Sequence, residues 1–223
     1  KLDGKWGYIN QRGEEVIVPK YDEIKEFSEN RAGVRLDGNW GYIDGSGEEV
    51  ISPQYDEAGK FDKGLASVSI NGRWGLIDKN GELKCKIIYD SIFNNEGMSL
   101  IRVDLDGMTG YINRAGKVVI PIMYEEVINY NDEAVVVRAG KKWGAYDSTG
   151  KMAVPVNYEG IDNLNVYHDD KKGITTIYVN ATLKKKPVFF SVQAKSQRTV
   201  KGEYTYGKWS KPKTKAKVKS NRK

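Results

Sequence analysis

The chain of 223 residues is 39% hydrophobic, enough for a packed core, and contains one cysteine and one histidine. Cys85 therefore has no disulfide partner within the chain, one Cys and one His cannot build a zinc site, and no run of 18 apolar residues predicts a membrane-spanning helix. The net charge of +6 conceals two parts of opposite sign, because residues 183–223 carry a net charge of +13 and the other 182 residues carry −7.

A tryptophan-glycine pair recurs at offsets of 34, 34, 35 and 34 residues, with Thr109 replacing the tryptophan once, and a tyrosine follows fifteen residues after each position. A fixed period of this length predicts a repeat architecture, in which neighbouring units complete each other's core. We interpret the tryptophans and tyrosines as core residues, with an exposed ligand-binding row as the alternative. The recurring positions are Trp6, Trp40, Trp74 and Trp143; Gly7, Gly41, Gly75, Gly110 and Gly144; and Tyr21, Tyr55, Tyr89, Tyr124 and Tyr158.

Within a unit, three strands follow one another in chain order. Apolar residues alternate with polar ones over residues 32–36, which predicts a strand with one buried face, and Asp37-Gly38 then predicts a tight hairpin turn. The second strand covers residues 40–43 and ends in an Asx-x-x-Gly turn that closes at Gly47. The third strand covers residues 49–52 and is expected to stop at Pro53. The glycine after each tryptophan is expected to let the indole of an adjacent unit pack closely.

The chain is therefore predicted to be all-β. We expect tandem units of about 34 residues, each of three antiparallel strands, stacked as an open curved array. A closed β-propeller is the alternative, although propeller blades usually need about 40 residues and four strands. Cys85 replaces the isoleucine or valine of the other third strands and is interpreted as a small core hydrophobe.

The repeat resembles the bacterial WG-repeat (KWG) family, whose unit has the pattern W-G-Y-I-D-x-x-G-x-x-V-I-x-P-x-Y-D. Residues 40–44, Gly47, Pro53 and Tyr55 follow this pattern closely, and five copies in one register cover residues 1–165. Thr109 and residues 84–87 depart from it. The resemblance implies a bacterial, non-catalytic repeat module that is often attached to other domains, and it supplies no catalytic or ligand residues.

After Tyr158 the repeat pattern fades. Residues 166–209 are interpreted as degenerate C-terminal capping strands, with strands at 174–179 and 188–192, because repeat arrays need capped ends. Residues 210–223 alternate lysine with small residues and proline, have no apolar periodicity, and are predicted to be a disordered basic tail. The chain starts without Met in the middle of a unit, so we expect a fragment. Its compartment, cytoplasmic or exported, stays open.

No catalytic, metal or cofactor site is predicted, and we do not expect an enzyme. His168 stands in a Tyr-His-Asp-Asp stretch that is typical of a solvated loop, and the sequence contains no phosphate-binding loop or dinucleotide fingerprint. Carboxylates recur once per unit and are interpreted as turn residues. They are Asp22-Glu23, Asp56-Glu57, Asp90, Glu125-Glu126 and Glu159.

The predicted function is a scaffold that binds a protein partner. Two alternatives stay open, namely a nucleic-acid-associated module that uses the basic segment and a carbohydrate or cell-surface binder that uses the repeated aromatics. The basic segment is equally compatible with an acidic protein, with docking on its own acidic array, or with no partner. Its candidate binding residues, with Tyr204 and Tyr206 as further stacking residues, are Lys184, Lys185, Lys186, Lys208, Trp209, Lys211, Lys213, Lys215, Lys217 and Lys219.

Overall fold

The computed structural model shows short antiparallel strands joined by tight turns, as the alternating apolar residues predict. It describes residues 1–10, 12–94, 99–130, 133–198 and 204–214. Within these ranges no helix is present, and the strands form six antiparallel sheets, none of which closes into a barrel. The all-β prediction is confirmed.

The first three sheets follow each other along the chain. The first has β1 (Trp6–Ile9) and β2 (Glu15–Tyr21). The second has β3 (Glu23–Ile24), β4 (Ala32–Leu36), β5 (Asn39–Ile43) and β6 (Glu49–Tyr55). The third has β7 (Glu57–Ala58), β8 (Leu65–Ile70), β9 (Arg73–Asp78) and β10 (Leu83–Tyr89).

The remaining sheets continue the pattern and then change it. The fourth has β11 (Ser91–Phe93), β12 (Leu100–Leu105), β13 (Met108–Asn113) and β14 (Val118–Tyr124). The fifth has β15 (Glu126–Tyr130), β16 (Ala134–Ala139), β17 (Lys142–Asp147) and β18 (Met152–Tyr158). The sixth has β19 (Gly160–Asp169), β20 (Ile174–Leu183), β21 (Lys186–Arg198), β22 (Tyr204–Tyr206) and β23 (Lys213–Thr214).

The chain divides into two compact units. The first comprises residues 1–106 and 112–117, and the second comprises residues 107–111 and 118–223.

The three predicted strands of each repeat are present, and sheets two to five add a strand in front of them. This strand follows the repeat tyrosine and pairs with the next strand, as Ile24 pairs with Val34. In β3 and β7 it is only two residues long. A strand of two residues is too short to show an alternating pattern in the sequence, so this strand was not predicted.

The predicted hairpin turns are confirmed. Asp37 and Gly38 have φ of 50° and 89°, and Asn71 and Gly72 have φ of 51° and 71°. Positive φ at both central residues is the geometry that matches the twist of the flanking strands.

The third strand does not stop at the proline, which corrects the sequence prediction. β6 continues through Pro53 to Tyr55, and the pairing shifts between Tyr42↔Ile51 and Trp40↔Tyr55. Extra residues in a bulge are left out of the ladder, so proline is tolerated there although it has no N–H.

Gly41 lies opposite this bulge, and a Cβ atom built there would be 2.6 Å from the nitrogen of Pro53. The glycine is thus required by the backbone of its own repeat. The expected indole of an adjacent unit is not what approaches it.

The core lies between consecutive sheets. In the first unit, Ile17 and Tyr21 of the first sheet form one buried cluster with Ala32, Val34 and Ile43 of the second. In the same way Trp40 and Tyr55 of the second sheet are buried with residues of the third, including Phe61, Val68 and Ile77. Cys85 is buried, as predicted. Within the first unit, each of these repeats therefore completes its core with the next one.

The turn glycines also contribute to this packing. Gly47 has φ of 87°, as predicted for the end of the Asx-x-x-Gly turn, and a Cβ atom there would be 2.7 Å from Cγ1 of Ile17 in the preceding repeat. Gly13 has the same backbone conformation, with φ of 79°, but no atom within 4 Å of that position.

The C-terminal region is more regular than the predicted degenerate cap. The predicted strands at 174–179 and 188–192 are present within the longer β20 and β21, and β19 starts at Gly160, so the expected boundary at 165/166 falls inside a strand.

Residues 210–214 are not the expected disordered tail. The backbone N–H of Ser210 donates to the carbonyl of Gln193 at 2.8 Å, and β23 pairs with β21. Residues 215–223 lie outside the described ranges.

We predict that Gly47→Val destabilises the protein more than Gly13→Val. Both variants place a β-branched residue at positive φ, which costs about 1–3 kcal/mol, but only the first also displaces Ile17. Urea unfolding of the two variants and the parent measures the difference. Equal losses would show that the turn glycine does not serve the contact between repeats.

Candidate functional site

The recurring carboxylates hold the hairpin turns. One oxygen of each accepts a backbone N–H from the turn of the following hairpin, as Asp22 Oδ2 does from Asp37 at 3.0 Å and Glu159 Oε2 does from Lys185 at 2.7 Å. Asp56, Asp90 and Glu125 do the same with Asn71, Asp106 and Gly140. The predicted turn role is confirmed for one carboxylate in every repeat.

The Asx residue of each repeat organises the second turn. Oδ1 of Asp44 accepts the backbone N–H groups of Ser46 and Glu48 at 2.9 and 3.0 Å. The Ser46 hydroxyl, which also donates to Oδ1, holds the pKa of Asp44 below its usual value. At Asp78 the Nζ of Lys84, 2.6 Å from Oδ2, is the main cause of a lowered pKa. The turn at Asp44 and chiefly Lys84 at Asp78 thus favour the ionised form of these carboxylates.

The repeated aromatics do not form an exposed binding row. All five repeat tyrosines are buried, and so is Trp40, whose ring also lies 4.2 Å from the Nζ of Lys25. Trp74 and Trp143 are half-buried, and only Trp6 is exposed. The core interpretation therefore fits the tyrosines and Trp40. A carbohydrate-binding row, by contrast, would need the aromatic ring faces to be exposed, and packing in the core already covers those of the tyrosines and Trp40.

His168 is not in a solvated loop. It lies in β19, its Nδ1 is 2.7 Å from the Thr175 hydroxyl, and its Nε2 is 3.0 Å from a carboxylate oxygen of Glu133. Its side chain is only 14% exposed. Hydroxyl, imidazole and carboxylate are the groups of a nucleophile triad, but Thr175 is completely buried and offers no nucleophile to a substrate. The group links β19 and β20 to the loop before β16.

Trp209 docks on the fifth repeat, which corrects its prediction as a base-stacking residue. Its indole N–H donates to Oδ2 of Asp147 at 2.7 Å, and Asp147 is completely buried. Tyr206, predicted as a second stacking residue, is also buried, and its ring is 5.5 Å from that of Trp209. The Nζ of Lys151 donates to the carbonyl of Tyr206. Nothing in the sequence signals a contact between residues 62 positions apart.

The candidate basic residues are distributed over several elements. Lys184 and Lys185 form the turn between β20 and β21, with φ of 50° and 59°, and Lys186 begins β21. Lys208, Lys211 and Lys213 are exposed. Lys215, Lys217 and Lys219 lie outside the described residues.

The first repeat exposes side chains that later repeats bury. Ile9 is 68% exposed, whereas the equivalent Ile43, Ile77 and Ile112 are completely buried. Trp6 is 43% exposed, although the equivalent Trp40 is buried. Leu2, Val16 and Val18 are exposed beside them. This apolar surface, Leu2, Trp6, Ile9, Val16 and Val18, is called the first-repeat surface below.

The described ranges lack two further features. No helix there is long and apolar enough to cross a membrane. No group of three or more His, Cys, Asp or Glu residues could hold a metal ion in that part of the chain.

Comparisons with known proteins identify the repeat. The family model described as WG containing repeat matches residues 6–40, 40–74, 74–107, 110–143 and 143–165. No curated protein matches the sequence.

Two solved structures are similar to parts of the chain. The first, Kluyveromyces lactis Hsv2p, is 10% identical, with 84% of this chain and 73% of that chain covered and a TM-score of 0.37. The second, the extracellular domain of a hybrid two-component system from B. thetaiotaomicron, is 12% identical, with 83% and 29% covered and a TM-score of 0.29. At these TM-scores neither likeness carries an argument.

We predict that acid destabilises the protein partly through Asp78. Its pKa is lowered in the folded state, so its contribution is fully present above the unfolded value, about 4, and is lost as pH falls through the folded pKa. Asp78→Asn should flatten the decline of Tm with pH in this range while keeping the turn, because Asn113 serves the same turn in the fourth repeat. Glu82→Gln, which removes the other carboxylate on Lys84, is the control and should leave the acid limb unchanged. If the Tm of Asp78→Asn fell with pH as steeply as the Tm of the parent, this assignment would be contradicted.

We also predict that Trp209→Phe lowers the free energy of unfolding by about 1–3 kcal/mol, because Oδ2 of the buried Asp147 then loses its indole donor, while Oδ1 keeps the donors of its own turn. Removal of residues 215–223 is the control and should leave Tm unchanged. Thermal melts of both variants decide the matter. A Trp209→Phe melt at the parent's Tm would show that this hydrogen bond does not hold the segment in place.

Proposed function

The chain belongs to the WG-repeat family, a family of repeat modules, and from this premise we propose that it is a non-catalytic scaffold that binds a protein partner. The observation that carries the proposal is the first-repeat surface. The five exposed apolar side chains of the first repeat come from β1, from its partner β2 and from the residues just before β1, and such numbers are typical of interaction sites, whereas single exposed residues are ordinary.

The hydrogen-bonding edge of β1 favours recognition by strand addition. In the second sheet the equivalent strand β5 pairs with β4 on one side and β6 on the other. Among the described residues β1 pairs with β2 alone, and on its other side only the bridge between Leu2 and Lys5 is formed. In sheets two to five the strand at this edge comes from the same chain, just before the strand equivalent to β1, so the edge of β1 is proposed to accept a strand of that kind.

The inner repeats indicate what kind of strand fits. β4 and β8, which pair with the equivalent strands, place Ala32 and Val34, or Ala66 and Val68, against the core. A partner segment with small apolar residues at alternate positions would make the same contacts. Phe27, which packs on Tyr8 of β1 at 5.1 Å between ring centroids, lines a neighbouring pocket of about 570 Å³ that could receive a side chain of the partner.

A synthetic peptide that copies residues 31–37 tests this proposal. We expect saturable binding with a blue shift of tryptophan emission, because Trp6 would lose solvent contact. Ile9→Glu should abolish binding, since it places a charge at the centre of the site. Ile88→Glu alters an equally apolar exposed position on another repeat and should bind normally.

A peptide of scrambled sequence controls for unspecific adsorption. Titration of the parent without any change in emission or in amide resonances would overturn strand addition at β1. Equal loss of binding in Ile9→Glu and Ile88→Glu would show that the peptide adds to the other edges instead.

A further inference from the structure

The sixth sheet has one face on the fifth repeat and one face in solvent. Ile177, Val179 and Val192 point inward and are buried with Val154 and Tyr158 of β18. Side chains alternate along a strand, so the intervening residues of β19, β20 and β21 form the opposite face. Three aromatic side chains of that face are exposed, namely Tyr167 at 58%, Tyr178 at 38% and Phe189 at 52%. They are called the aromatic stripe below.

Strand register places the three rings in one diagonal line. Tyr167 pairs with Thr176, two residues before Tyr178 on β20. Tyr178 in turn pairs with Ser191, two residues after Phe189 on β21. Such diagonal neighbours are about 7–8 Å apart, within reach of aromatic side chains. Each of the three strands therefore contributes one ring. From one strand to the next, the ring is displaced by two residues along the sheet.

Amides, hydroxyls and cations surround the stripe. Asn165 and Ser191 pair with Tyr178 on either side, and Asn180 pairs with Phe189. Lys213 of β23 pairs with Ser191 and so lies on the same face, where Lys195 is also exposed. The sequence then continues directly into Lys215, Lys217 and Lys219.

Acidic groups are absent from the middle of this face. Residues 163–167, 176–180 and 189–195 contain no Asp or Glu. Asp169 stands at the end of β19 and forms an ion pair with Lys172 at 3.0 Å. A ligand on the stripe would thus meet aromatic rings, neutral hydrogen-bonding groups and positive charge.

We propose that the aromatic stripe binds single-stranded nucleic acid. Bases stack on Tyr167, Tyr178 and Phe189, the amides contact base edges, and Lys195 and Lys213 neutralise phosphates. Exposed rings on an antiparallel sheet next to a basic segment combine the two interactions that single strands require, base stacking and backbone neutralisation. A neutral polysaccharide would use the rings but leave the lysines without a role, and a duplex would hide its bases from the rings.

This site differs from the one that the sequence indicates. Of the predicted stacking residues, Tyr206 is buried and Trp209 packs against the core of the fifth repeat, whereas the exposed rings of Tyr167 and Tyr178 precede the basic segment and Phe189 lies near its start. The proposal is independent of strand addition at β1, because the two surfaces share no residue.

Fluorescence anisotropy with a labelled oligothymidylate of about 12 nucleotides tests the proposal at low salt, on the full chain. We expect Phe189→Ala and Tyr167→Ala each to weaken binding roughly 5- to 100-fold, the loss of one stacked base. Phe93→Ala removes a similarly exposed phenylalanine, 43% in the parent, from the fourth sheet and should bind like the parent. Because the altered side chains are exposed, all variants should melt at the parent's temperature.

Salt dependence tests the lysines. Lys195→Gln and Lys213→Gln should each lower the slope of log K against log salt by about 0.7, the value for one phosphate of a single strand. Affinity that resists salt would overturn their assignment to phosphates.

Three outcomes would overturn the proposal. One is no binding at low salt. Another is binding that survives Phe189→Ala and Tyr167→Ala but disappears when residues 215–223 are removed, which would assign it to the tail charge alone. The third is binding of a neutral glucan, with loss in Phe189→Ala, and no binding of the oligonucleotide, which would make the stripe a sugar site.

Discussion

The whole molecule depends on a contact that one repeat cannot make by itself. A turn glycine at positive φ brings the backbone of each repeat against the third strand of the repeat before it, as Gly47 does against Ile17. A side chain at this position would push the two sheets apart. The contact recurs in later repeats, where the turn glycine lies next to Ile51, Cys85 or Val119 of the preceding third strand, and this supports a constant period of 34 or 35 residues.

The sequence predicts best what local geometry determines. Asp37-Gly38 and Gly47 have the positive φ that their turn patterns require, and the carboxylates bind turns, because each of these features involves residues close in the chain or repeated in register. The strand through Pro53 was predicted wrongly for a related reason. A proline normally ends a ladder, but a bulge opposite Gly41 removes the need for its N–H, and a bulge has no signature in a single sequence.

Long-range contacts explain what the sequence could not show at the candidate sites. His168 has the polar neighbours of a loop residue, yet β20 and Glu133 enclose it. Trp209 lies among lysines, and only the fold reveals its acceptor on Asp147. The aromatic stripe was also missed, because Tyr167, Tyr178 and Phe189 come from three strands and become neighbours through their register. In each case the neighbouring residues come from distant parts of the chain. The alternating pattern of a single strand does not show which residues these are.

The carboxylate-turn bonds have a consequence for the order in which the chain folds. In the first four repeats each bond joins residues only 15 or 16 positions apart, so a repeat can close its hairpin soon after it leaves the ribosome. The contact of Trp209 with Asp147 spans 62 positions, so it forms much later than the hairpins do. Folding should therefore proceed from the N-terminus repeat by repeat, and Oδ2 of Asp147 receives its indole donor only after residue 209 has been synthesised.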